Sequence, residues 1–130
     1  MLARLAVLLM LSSTALADDA SPDAELSTAE RVAIENALDE SHRAVAHYAK
    51  VQLEYDDARV FGELLEVHRS QVTSLSMLLM QYGEAVPASR WAGRVHSAPS
   101  LLDACTGSLE VERAVGERHD TVIDLSLIHI

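Results

Sequence analysis

Residues 60–82 read VFGELLEVHRSQVTSLSMLLMQY, and this segment decides how the chain folds. Its apolar side chains recur with a period near 3.6 residues, which predicts one long amphipathic helix with a wide apolar stripe. The stripe consists of Phe61, Leu64, Leu65, Val72, Leu75, Leu78, Leu79 and Tyr82. Two polar residues, His68 and Gln71, interrupt it one turn apart, where leucine or valine would be less costly to bury.

A second long helix is predicted before this segment. Ser27 and Glu30 have the spacing of a capping box, and the helix runs from there to about Tyr55. Asp57 is the predicted cap of the 60–82 helix, and Gly83 its C-terminal stop. The inward seam of the first helix is predicted to be Ile34, Leu38, Ser41, Val45, Tyr48 and Gln52, flanked by alanines that allow a close neighbour.

A third helix is predicted after a loop over residues 84–97. Ser97 is its expected cap, with Pro99 in the first turn, and Trp91 in the loop is expected to fold over the end of the bundle. The predicted seam is Leu101, Cys105, Ser108, Glu112, Val115, His119 and Val122, widened by Leu102, Leu109 and Ile123.

The pattern predicts an all-α protein, because no stretch alternates like a β-strand. Three long helices joined by short loops predict an up-down bundle. The seams are wide enough to leave apolar surface on a second side. We therefore expect a fourth helix, or a homo-oligomer partner, to cover the open face of the bundle.

Residues 1–17 have the pattern of a secretory signal peptide, with Arg4, a short apolar run and an Ala-x-Ala end. Residues 18–26 are acidic and small, which predicts a disordered leader. The sequence thus predicts export to a periplasm or the extracellular space. Cys105 is the single cysteine, so no disulfide can form within the chain.

The net charge of −10 disfavours binding to nucleic acid or to anionic membranes. We expect neither partner once the signal peptide is removed. The sequence contains no phosphate-binding glycine loop, Cys-x-x-Cys motif or nucleophile–base pattern. His42 and His47 flank the first seam and are expected at its boundary.

Four polar residues are predicted to meet at one depth of the bundle, and we call Ser41, His68, Gln71 and Glu112 the polar layer. Buried polar groups must be hydrogen-bonded, hydrated or bound to a metal. One interpretation pairs His68 with Glu112 and lets Gln71 satisfy what remains; leucine at position 68 should then be neutral or stabilising. The other uses His68 and Glu112 as ligands of iron, manganese or zinc.

Several segments resemble the ferritin-like superfamily, in particular a bacterial ferritin-like family of unknown function. The resemblance covers about residues 26–124. It is carried by ALDES at 37–41, AHY at 46–48, RVF at 59–61, Tyr-Gly at 82–83 with Val-Pro at 86–87 and Trp91, SLLDAC at 100–105 and EVE at 110–112.

The resemblance implies a four-helix bundle with a di-iron carboxylate site. In such proteins helices one and three each supply a Glu, and helices two and four each supply Glu-x-x-His. In this chain the helix-one position holds Ser41, the helix-two positions hold His68 and Gln71, and Glu112 keeps the carboxylate of helix three. The fourth helix is expected to be missing from the sequence.

The sequence therefore predicts a ferritin-like domain over residues 27–124, with a degenerate di-iron site and a binding or structural role. The alternative is iron binding with oxidase-type chemistry in a full-length protein that supplies the fourth helix. Residues 125–130, LSLIHI, resemble a translated sequencing adapter and are expected to be non-native.

Overall fold

A computed structural model describes residues 25–56 and 58–128 of the chain. This part is all-helical, with α1 at Thr28–Glu54, α2 at Arg59–Gln81, α3 at Leu101–Ile128 and no strand between them. The all-α prediction is confirmed. Within the same residues, no helix combines the length and apolarity needed to cross a membrane. The predicted signal peptide and most of the leader lie outside the described residues.

Two predicted helix ends are confirmed by their hydrogen bonds. At the start of α1, the Glu30 amide donates to the Ser27 hydroxyl and the Ser27 amide donates to the Glu30 carboxylate, both over 3.1 Å. At the end of α2, Gly83 has a φ of +70°, and the amides of Gly83 and Glu84 donate to the carbonyls of Met80 and Leu79. That pattern is a Schellman motif, which glycine adopts without steric penalty.

Two predicted helix starts differ from the structure. The third helix begins at Leu101 and not near Ser97, because the Ser100 hydroxyl accepts from the Asp103 amide over 3.1 Å and supplies the cap. Pro99 therefore precedes the helix. Asp57, the predicted cap of α2, lies outside the described residues; Ala58 is the N-cap and makes no side-chain hydrogen bond.

The predicted up-down order is wrong, because α2 and α3 run parallel to each other. Near one end of the bundle, Phe61 and Ala104 share an apolar cluster with Val51; near the other, Leu79 and Val122 share a cluster with Ile34. Both helices are thus antiparallel to α1, which packs along each of them.

The connection over residues 82–100 makes the parallel arrangement possible. An extended segment of that length can reach about 60 Å, whereas α2 is only about 35 Å long. We call residues 82–100 the crossover segment. A short loop, as predicted from the sequence, could not return along the bundle in this way.

The core consists of two apolar clusters. Ala37 and Ala44 of α1 are fully buried, which brings neighbouring helices close, as predicted. The first cluster contains Ala44, Tyr48, Val51, Phe61, Leu65, Ala104, Val111 and Val115. The second contains Ala33, Ile34, Ala37, Leu38, Leu75, Leu79 and Val122.

Parts of the predicted seams face solvent. Gln52, Leu101 and Cys105 are exposed, and Val45 is only half-buried. On α3 the predicted seam residues Ser108, Val115, His119 and Val122 are buried, and Ala104 and Val111 join them. Because α1 is the main neighbour of α3, only the face turned toward α1 is covered.

Trp91 does fold back onto the helices, but not over the end of the bundle. Its indole nitrogen donates to a carboxylate oxygen of Asp39 over 3.1 Å, near the middle of α1. Arg90 holds the same carboxylate with two hydrogen bonds of 2.9 Å. The crossover segment is therefore fastened halfway along α1.

Candidate functional site

The polar layer lies where the two apolar clusters meet. On α1, Ser41 separates Leu38 of the second cluster from Ala44 of the first. On α2, His68 and Gln71 lie between Leu65 and Leu75, and the two polar side chains are almost completely buried. The depth predicted from helical periodicity is thus the depth at which the structure places them.

Glu112 and His68 form the centre of the layer. Nε2 of His68 lies 2.6 Å from Oε1 of Glu112, and Nδ1 of His68 lies 2.8 Å from Oε1 of Gln71. A carboxylate oxygen accepts hydrogen bonds, so Nε2 of His68 donates to Glu112. Nδ1 of His68 donates or accepts according to which end of the Gln71 amide faces it.

Tyr48 is a member of the site that sequence reasoning missed. Its hydroxyl donates to the same Glu112 oxygen over 2.8 Å, and its ring stacks on the His68 ring with centroids 5.4 Å apart. The available signal was a phenol on the predicted α1 seam, because a buried tyrosine hydroxyl usually finds a partner. Burial, followed by the bond to Glu112, raises the pKa of Tyr48.

Ser41 does not join the hydrogen-bonded group. Its hydroxyl donates to the Ala37 carbonyl over 2.8 Å, one turn earlier in α1. This bond satisfies a buried serine within its own helix. Of the four predicted residues, the structure therefore links three by hydrogen bonds, and Ser41 is satisfied separately.

The charge of Glu112 is maintained inside the bundle. Burial works against ionisation of this carboxyl, but the hydrogen bond and charge of His68, together with the Tyr48 hydroxyl, outweigh burial and lower its pKa. The Glu112 side chain is 20% exposed, so water reaches one side of it. The site is thus a carboxylate held between an imidazole and a phenol at the edge of the core.

Two buried nitrogen atoms have no hydrogen-bond partner among the described residues, Nε2 of Gln71 in the polar layer and Nε2 of His119, two turns beyond Glu112 on α3. The other ring nitrogen of His119 donates to the Val115 carbonyl over 2.8 Å. Burial lowers the pKa of His119, an effect that the bond to Val115 partly offsets. His119 is therefore a buried ring in which Nδ1 is satisfied within α3 and Nε2 has no partner among the described residues.

A second contact between α1 and α3 supports the layer from the surface. Nε2 of His47 lies 2.9 Å from the Ser108 hydroxyl, which in turn donates to the Ala104 carbonyl over 2.7 Å. His42 and His47 are both half-buried, as expected for residues at the boundary of the seam. Burial lowers the pKa of each.

The metal interpretation depends on His68 and Glu112, and the structure pairs these two side chains with each other. Among the described residues, no group of three or more His, Cys, Asp or Glu side chains is arranged to hold a metal ion. A transition-metal site usually needs three or four protein ligands. The arrangement can hold a proton between His68 and Glu112, and it can neutralise a buried charge.

Comparison of the chain with protein-family models, with curated proteins and with solved structures found no match.

Proposed function

We propose that this chain is an exported ferritin-like helical-bundle domain whose di-iron site is degenerate and whose role is binding or structural. The hydrogen bond between His68 and Glu112 carries the proposal. The carboxylate that the resemblance assigns to iron is hydrogen-bonded to a histidine that stands where the resemblance expects a glutamate.

The order of the helices supports the ferritin-like part of the proposal. Ferritin-like bundles differ from simple up-down bundles by one long crossover connection. Here α2 and α3 are parallel, and residues 82–100 cross between them. A fourth helix would complete such a bundle beside α2 and α3.

The contacts of Glu112 support the part of the proposal that assigns a degenerate di-iron site and a binding or structural role. A metal ion at this position would have to displace the 2.6 Å contact with His68 and compete with the 2.8 Å bond from Tyr48. Ser41 and Gln71, at the other two ligand positions, supply a hydroxyl and an amide, which bind transition metals weakly compared with carboxylate and imidazole.

Metal binding by the full chain tests this proposal. We expect equilibrium dialysis against Fe²⁺ without oxygen, and against Mn²⁺ and Zn²⁺, followed by elemental analysis, to find no stoichiometric metal. Glu112→Gln should give the same result as the wild type. One ion per chain that is lost in Glu112→Gln would favour the alternative, an iron-binding protein with oxidase-type chemistry.

We also propose a second copy of the chain as a partner at the open face. Exposed leucines on α3 support this, since Leu102 and Leu109 are 76% and 73% exposed. Isolated apolar side chains are common on surfaces, but a cluster on one helix is more often an interface. Sedimentation that shows only monomer at high concentration would contradict self-association.

A further inference from the structure

An open groove with about 410 Å³ of space, which we call the cavity, lies away from the polar layer, between the outer face of α1 and the crossover segment. This volume is in the range of small-molecule sites, about 300–1,000 Å³. Val45, Ala46 and Ala49 line the α1 side, and Trp91 and Val95 line the opposite side. The walls are therefore mostly apolar.

The one charged side chain among the described residues that line this cavity is positive, although the chain as a whole has a net charge of −10. Lys50 and His42 are the ionisable side chains among the described residues that line it. Asp39 of α1 is already paired with Arg90 and with the Trp91 indole. Glu54, which is outside the lining, forms a partly exposed ion pair with Lys50 over 3.6 Å. Such a pair contributes little energy, and the Lys50 ammonium has three N–H donors, so it can also bind a ligand carboxylate.

The aromatic wall is held in place before any ligand arrives. The Asp39 hydrogen bond fixes the Trp91 indole, and the Arg90 guanidinium lies 4.6 Å from the centre of its ring. Across the cavity, Leu53 is 85% exposed at the rim. A ligand that covered Leu53 would remove apolar surface from water, and a fixed wall reduces the entropy lost on binding.

We propose that this cavity binds a small amphipathic carboxylate, with its apolar body against Val45, Ala49 and Trp91 and its carboxylate at Lys50. Burial lowers the pKa of His42, so at neutral pH Lys50 supplies the positive charge and His42 a hydrogen bond. This site is separate from the polar layer, and it does not depend on the function proposed above.

Trp91 is the single tryptophan of the chain, so its fluorescence reports on this cavity. We expect titration of the full chain with dodecanoate, below the concentration at which micelles form, to give a saturable change in Trp91 emission. Lys50→Gln should weaken binding about tenfold, the usual effect of losing one charge-assisted hydrogen bond. Dodecanol has no carboxylate, so its affinity for the wild-type protein should be no higher than the affinity of dodecanoate for the Lys50→Gln variant.

Two further variants keep the test specific. Ala46→Phe fills the cavity from the α1 side and should abolish binding, with the helical circular dichroism spectrum retained. Arg59→Gln removes a positive charge at the start of α2, outside the cavity, and should bind like the wild type. The proposal would be overturned by a lack of saturable change, by equal binding of dodecanol and dodecanoate, or by unchanged binding in Ala46→Phe.

Discussion

The imidazole of His68 and the carboxylate of Glu112 meet across the bundle with 2.6 Å between Nε2 and Oε1, although the residues belong to different helices. His68 is fully buried and Glu112 is partly exposed. This contact joins α2 to α3, two helices that otherwise pack mainly on α1. The pair therefore has a structural role of its own, whatever else the layer binds.

Replacing His68 by leucine should destabilise the protein, although the sequence alone favoured a neutral or stabilising effect. The change leaves the Glu112 carboxylate and the Gln71 amide without their partner, at a cost of about 1–3 kcal/mol. The double variant His68→Leu/Glu112→Leu should recover part of the loss. Urea unfolding at pH 7 of His68→Leu, Glu112→Leu and the double variant measures the coupling energy between the two side chains. Additive losses of unfolding free energy would show that the two side chains are not coupled. The exposed pair Arg69–Glu66 serves as a control, because little coupling is expected there.

Acid should unfold the protein in part through Glu112. Its pKa in the folded state lies below the ordinary value of 4.5, so the unfolded state binds the proton more readily. The resulting stability is present above about pH 4.5 and is lost as the pH falls through the folded pKa. We expect Glu112→Gln to show a smaller loss of unfolding free energy over that acid range. Glu110→Gln, an exposed change on the same helix, should keep the wild-type dependence.

His119→Leu should stabilise the protein by about 1 kcal/mol, because it removes a buried nitrogen without a partner. Burial lowers the pKa of His119 below its ordinary value of 6.5, so wild-type stability falls as the pH drops from about 6.5 through the folded pKa. The variant should lose that contribution to the pH dependence. Thermal unfolding at several pH values measures both effects, with His96→Leu in the exposed loop as control. Destabilisation would indicate that Nε2 has a partner in solution.

Asp39→Ala should release the crossover segment from α1. The carboxylate holds the Arg90 guanidinium and the Trp91 indole, and alanine removes all three hydrogen bonds. We expect Trp91 emission to shift to longer wavelength as the ring becomes exposed to water. Glu35→Ala, which removes a contact with Arg31 elsewhere on α1, should leave the emission unchanged. An unshifted spectrum in Asp39→Ala would show that packing alone holds the ring.

Helical periodicity was sufficient to predict which residues are buried in α2 and that a polar layer interrupts the core. Apolar residues three and four positions apart can be buried together only on one face of a helix. His68 and Gln71 fall on that face, so their burial follows from spacing alone. Periodicity also placed Tyr48 on a seam, but nothing in its spacing indicates the partner that its hydroxyl binds.

The direction of α3 could not be obtained in the same way. The third helix would bury an apolar stripe whether it ran parallel or antiparallel to α2. Its direction therefore depends on where the crossover segment is fastened. The contacts of Asp39 with Arg90 and Trp91 join residues about fifty positions apart, and no local pattern encodes them. The start of α3 was also predicted wrongly, at Ser97 and not at Ser100, because both serines are acceptable caps by residue type.

Local chemistry, then, determined the three helices, the start of α1, the end of α2 and the depth of the polar residues, because each of these depends on neighbours within a few turns. Only the tertiary structure decided that α2 and α3 run parallel, that Glu112 is bound by Tyr48 as well as His68, and that Ser41 is satisfied within α1. These outcomes depend on groups brought together from distant parts of the chain, where the hydrogen bonds available to each side chain are set by packing.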